Sequence, residues 1–220
     1  MVLEVVGLLL PYAAGIALSP IAVVGVVLVV SGPRRTVVGP LFAAGWLVGL
    51  SGLTAAAVLV GELVGSGDSA RWLSAVRLLV GVMLVVLGLS MLLGSRGKGT
   101  DDPAWMSGLS DIGPGRAIGV GLGLAAANPK NVVFALASAS VIGQVDQGGG
   151  AALREAVAFV LLASSSVLGV VLVALVGGER GRAALVRVRE LMTAHHDVVL
   201  GLVLLLIGVS LTGDALTALA

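Results

Sequence analysis

The chain has 220 residues, 58% of them hydrophobic and 11% charged, with a net charge of +1. Soluble domains carry about 25% charged residues, so this composition excludes an ordinary water-soluble core and indicates a polytopic membrane protein. A net charge near zero gives no electrostatic basis for binding nucleic acid, and the absence of cysteine removes disulfides, thiolate metal ligands and thiol redox chemistry.

A helix needs about 20 predominantly apolar residues to cross the hydrocarbon. Six segments meet that requirement: Val5–Val30, Val37–Gly61, Trp72–Leu93, Ala117–Ile142, Ala156–Val176 and Val198–Leu219. The first is expected to be a membrane helix and not a signal peptide: Glu4 stands where a basic region belongs, and the apolar run is long, with no obvious cleavage site. The fold class expected is therefore an all-α integral membrane protein with six transmembrane helices. Most connections are short. The stretch 95–115, rich in Gly, Asp, Pro and Ser, divides the chain into residues 1–94 and 116–220, three segments each. Between the fifth and sixth segments, Leu185, Val188 and Met192 form one apolar stripe, as in a helix lying along the membrane surface.

Basic residues set the orientation. Arg34, Arg35, Arg96, Lys98, Arg116, Arg180, Arg182, Arg187 and Arg189 fall on one side, and only Arg71, Arg77 and Arg154 on the other. The side with nine is expected to be cytoplasmic, which puts both termini outside. His195 and His196 precede the last segment and read as an interfacial pair, because a metal site needs further ligands nearby. No metal or cofactor is expected.

The two halves resemble each other. "ALSPIAVVGVVLVVSG" from Ala17 aligns with "AANPKNVVFALASASV" from Ala126, placing Ser19-Pro20 on Asn128-Pro129. Gly81, Gly88 and Ser90 in the third segment align at one constant offset with Gly201, Gly208 and Ser210 in the sixth. A duplicated unit with an odd number of spans inserts in opposite orientations, the inverted-repeat plan of many secondary transporters.

Proline removes a backbone N–H and clashes with the preceding turn, and in lipid the carbonyls it frees must find other partners. Pro20 and Pro129 lie near the middle of their segments, where Ser19 and Asn128 can bond the exposed backbone. Broken helices from opposite repeats meet near the midplane in such transporters and bind substrate there. Lys130 lies beside the second break, about 20 Å from either end of its segment at 1.5 Å per residue, too deep for easy snorkelling. No Asp or Glu falls deep in any of the six segments: Glu4, Glu62 and Asp214 lie near their ends. Lys130 therefore has three candidate states: a neutral amine, a donor to carbonyls freed by the breaks, or the partner of an anionic substrate group. The candidate substrate site comprises Ser19, Pro20, Asn128, Pro129, Lys130 and Asn131.

Catalysis is not expected. "GSRGKGT" at 94–100 lacks the order of a phosphate-binding loop, and "SSS" at 164–166 has no histidine or carboxylate beside it in sequence, so it reads as helix packing.

"ALSPIAVVGVVLVVSGPRR", "LFAAGWLVGL", "AAANPKNVVFALAS", "FVLLASSSVLGVVLVALVGGER" and "LLLIGVSLTGDAL", in that order, resemble the glycopeptidolipid-addressing or sulfolipid-addressing family, a branch of the lysine-exporter superfamily. The resemblance covers almost the whole chain. It implies a six-helix bacterial inner-membrane protein linked to moving glycolipids toward the cell surface in actinobacteria. The expected function is export, or assisted export, of an amphipathic anionic substrate, with membrane lipids as partners and a homodimer or a larger exporter as possible associates. The alternatives are export of an amino acid or small metabolite, and a membrane scaffold that recruits a lipid-synthesis complex through its basic loops.

Overall fold

A computed structural model describes residues 2–64, 69–94, 108–145, 149–194 and 196–219. The described residues are helical, apart from short turns, and contain no strand. In chain order the helices are α1 (Val2–Ala17), α2 (Pro20–Ser31), α3 (Arg35–Val64), α4 (Ser69–Gly94), α5 (Pro114–Ala126), α6 (Pro129–Val145), α7 (Gly149–Ala163), α8 (Ser165–Val176), α9 (Gly178–Ala194) and α10 (His196–Leu219). A 3-10 turn, Leu109–Asp111, precedes α5. Residues 95–107, which carry most of the inter-half connection and the "SRGKGT" stretch, lie outside the described residues, as does His195.

Among the described residues one helix is long and apolar enough to cross a membrane unaided, over Arg35–Gly61 of α3. Three more crossings arise only if bent pairs count as single spans: α1 with α2 at 56°, α5 with α6 at 59°, and α7 with α8 at 54°. α4 and α10 carry shorter apolar stretches, Gly81–Leu93 and Leu204–Ala218. The first two bends fall where the sequence places its prolines. Pro20 opens α2 and Pro129 opens α6, positions where a missing N–H leaves no helical bond unmade. The third bend was not expected and contains no proline. It falls at Ser164, the first of the three serines at 164–166, as serine clusters commonly kink helices.

The core forms where α1, α2, α3, α6, α7 and α8 converge. All three phenylalanines, Phe42, Phe134 and Phe159, are fully buried there with Trp46, Leu9, Ile16, Leu50 and Ile142. Trp46 donates its indole N–H to Ser164 Oγ at 3.2 Å, which ties α3 to the α7–α8 bend. The outward surface is also apolar, with Val48, Leu79, Val86, Leu172 and Leu206 all more than half exposed. Such a surface has lipid, not water, as its natural solvent. α9 is the exception. Gly178, at φ +53°, turns the chain out of α8 into a helix whose Leu185 is buried and whose Arg180 and Arg187 are exposed. The segment is helical, as expected, and Leu185 and Val188 of its apolar stripe pack against the core. The side chain of Met192 lies outside the described residues.

α4 packs chiefly against α10, and glycines make the approach possible. A methyl added at Gly88 would stand 2.7 Å from the Gly201 carbonyl oxygen, and one at Gly208 would stand 2.8 Å from the Gly81 carbonyl oxygen. Those distances are shorter than side-chain carbon permits, so backbones meet directly at both crossings. The pairs Gly81/Gly208 and Gly88/Gly201 run in opposite directions along the two helices.

Candidate functional site

The site is built where the first and second bends touch. At the α1–α2 bend, the N–H of Ser19 turns to Ile16 O at 3.1 Å instead of reaching Gly15 O four residues back. Pro20 has no N–H to offer Ile16. The Gly15 carbonyl is thereby freed inside the bundle. Ser19 is buried but makes no side-chain capping bond, so it does not perform the backbone capping expected of it.

At the α5–α6 bend the freed groups are paired locally. Asn128 Oδ1 accepts the backbone N–H of Lys130 at 3.1 Å, and Asn128 O accepts that of Val132 at 3.1 Å, making Asn128 the N-cap of α6. Pro129 cannot donate to Ala125 O. Asn131 does so in its place: its Nδ2 donates to Ala125 O at 2.9 Å and to Leu124 O at 3.3 Å. Asn131 is 0% exposed, and its Oδ1 has no partner among the described residues. Asn128 thus bonds exposed backbone on the N–H side of the break, as expected, and Asn131 serves the carbonyls on the other side.

Lys130 joins the two bends. From the first turn of α6 its Nζ donates to Gly15 O at 2.5 Å. The ammonium group lies 5.7 Å from the Phe134 ring centroid, one helical turn along α6. Phe134 in turn fills the space that Gly15 leaves by lacking a side chain, and an added methyl there would overlap the ring. Of the three candidate states of Lys130, the structure displays the donor to a freed carbonyl. The negative end of the α1 dipole supplies a counter-charge where the sequence offers no carboxylate. A lysine ammonium has three donors and this bond uses one.

The structure therefore brings Lys130, Asn131, Asn128 and Pro129 to one junction and places Ser19 and Pro20 on the facing helix break. Gly15 and Phe134 belong to the same junction and were not singled out from sequence. Gly15 is one of 33 glycines, and its significance depends on a partner 115 positions away. Two further buried polar groups stand apart from the expected set. Among the described residues Ser166 Oγ has no partner, and Glu155, one residue before the fifth apolar segment, is 9% exposed with Oε2 likewise unpartnered. Among the described residues no group of His, Asp and Glu is arranged to hold a metal ion.

Broken apolar helices meeting at a partly buried lysine define a helical membrane protein with a polar junction inside its bundle. The chain belongs to the family described as Sap, sulfolipid-1-addressing protein, whose model matches residues 9–217. No curated protein and no solved structure matches it.

Proposed function

We propose that the protein is a six-span, inverted-repeat membrane transporter, or the membrane subunit of one, that carries an amphipathic anion outward, its cargo a lipid with an anionic headgroup. The carrying observation is Lys130, anchored by one bond to Gly15 O at the meeting of two helix breaks with donors to spare. An anionic headgroup is the ligand such a group suits, and the sulfolipid in the family's description has that chemistry. Apolar helix faces open to lipid give acyl chains a place to remain while the headgroup reaches the junction.

Reciprocal contacts support the inverted repeat. The offset that carries Pro20 onto Pro129 carries Gly15 onto Leu124 and Gly25 onto Phe134. Gly15 lies against Phe134, and Gly25 lies against Leu124, with a methyl added at Gly25 3.1 Å from Leu124 Cδ1. The offset relating Gly81 to Gly201 likewise carries Gly88 onto Gly208, and each glycine meets the counterpart of the other. Contacts that swap partners in this way are those of an isologous interface about a twofold axis. With Gly81/Gly208 and Gly88/Gly201 antiparallel, that axis lies across the helices, in the plane of the membrane.

The basic loops face the cytoplasm in this reading and both termini face outward, in a bacterial plasma membrane. The competing reading is a scaffold that binds partners through α9, favoured by the exposure of Arg180 and Arg187. Surface glycolipid measured in cells separates the two. Transport predicts that Lys130→Met abolishes surface delivery and that Arg180→Ala/Arg187→Ala retains it, and the scaffold predicts the reverse.

A further inference from the structure

We infer that α9 binds anionic phospholipids of the cytoplasmic leaflet along one flank, through Arg180, Arg187 and Leu191. Gly181 and Leu185 are buried and Val188 packs against the core, and the helices packed against α9 are chiefly α2 and α8. At about 100° per residue, Arg180, Ala184, Arg187 and Leu191 share one flank, roughly a quarter to a third of a turn from that packed line. All four are exposed, Leu191 by 60%. Glu179, Ala183 and Glu190 are exposed as well and stand opposite the packed line. Neither arginine forms an ion pair among the described residues.

This order of charges selects the occupant. An acidic protein approaching from the cytoplasm meets Glu179 and Glu190 first, a like-charge contact that weakens binding. Lipid approaches from the side instead. Both ends of α9 join apolar helices: Val176, 75% exposed, closes α8 with only Gly177 before α9 begins, and α10 follows with its apolar run from Val198. A 17-residue helix, about 25 Å long, that links the points where the chain leaves and re-enters hydrocarbon lies along the interface. There the exposed Leu191 reaches acyl chains, while each arginine lays its stem on apolar surface and donates its N–H groups to phosphate oxygens. Zwitterionic lipid offers that phosphate with a cation attached. Anionic lipid offers it without one and gains about fivefold in affinity per arginine. The lipids held here are residents of the protein, not its cargo. The inference therefore takes the proposed orientation and is independent of what Lys130 binds.

The test uses the full-length chain with Ala184→Cys, which carries a small fluorophore on the flank between the two arginines, in phosphatidylcholine nanodiscs; the chain has no cysteine of its own. Quenching is compared for phosphatidylglycerol and phosphatidylcholine at equal mole fraction, each bearing a nitroxide near the head of one acyl chain. Phosphatidylglycerol is expected to quench several-fold more effectively, and the difference to shrink as salt is raised. Arg180→Gln/Arg187→Gln is expected to bring the two lipids level. Arg180→Lys/Arg187→Lys keeps the charge, and Arg116→Gln removes an exposed arginine on the same expected side of the membrane; both are expected to preserve most of the preference. Equal quenching by the two lipids with both arginines present overturns the inference, whether or not the glutamine variant folds. So does a preference unchanged by the glutamine pair, or one lost equally in Arg116→Gln, which marks net charge as its source. Absence of quenching by either lipid also overturns it, placing α9 off the bilayer and leaving the flank to a protein partner. Failure here leaves the Lys130 site standing, and identical co-purifying lipids in Lys130→Met leave the α9 site standing.

Discussion

Lys130 resolves an electrostatic difficulty with backbone instead of with a carboxylate. A cation in the first turn of α6 faces the positive end of its own helix, which is unfavourable, but the carbonyl end of α1 lies within hydrogen-bonding distance. Gly15 is required twice, for its freed carbonyl and for the space Phe134 occupies. Gly15→Val is therefore expected to displace the ring and destabilise the folded protein by about 1–3 kcal/mol, the usual cost of overpacking a filled core. Denaturant or thermal unfolding in detergent measures it, and Gly7→Val, which meets open space, is the control expected to have little effect. Lys130 itself was legible in the sequence because a lysine amid apolar residues needs a reason. Its partner was not, because a glycine carbonyl carries no side-chain signature.

The helices divide into breaks that announce themselves and one that does not. Pro20 and Pro129 were readable as bends because proline's missing N–H has the same consequence in any helix. The bend at Ser164 was not, since serine tolerates a straight helix, and the Trp46 indole that its hydroxyl accepts from lies 118 positions away. Glu155 escaped notice for a similar reason: a segment edge in sequence does not tell which side of a helix faces the core. The Gly81/Gly208 and Gly88/Gly201 crossings were readable as matched positions, but not as mutual contacts. They make α4 and α10 a pair sensitive to side-chain addition. Gly88→Leu is expected to force the helices apart, because the atoms it meets are backbone and cannot rotate away. Gly213→Leu, in open space on α10, is expected to leave the pair intact. Cross-linking yield between cysteines placed at positions 85 and 205 reads the separation, on a chain that has no cysteine of its own.

At the scale of the whole molecule, an all-helical apolar architecture was legible from composition alone, whereas the way its segments interlock was not. Periodicity identifies which segments enter lipid. Only packing brings α5 and α6 against α3, and α7 and α8 against α1 and α2, so that each half embraces the other. The topology proposed for this arrangement is open to direct measurement. Single cysteines at Gly150 and in the turn at Pro33 are expected to react from opposite sides with a membrane-impermeant maleimide, Gly150 from outside and Pro33 only after permeabilisation. The same labelling from one side at both positions would contradict the six-span reading. The central claim is that Lys130 binds an anionic headgroup, and mass spectrometry of lipids co-purifying with the wild-type protein and with Lys130→Met tests it most directly. The account predicts an anionic glycolipid enriched over the bulk membrane in the wild type and lost in the variant. Identical lipids in both, matching the bulk membrane, would contradict it.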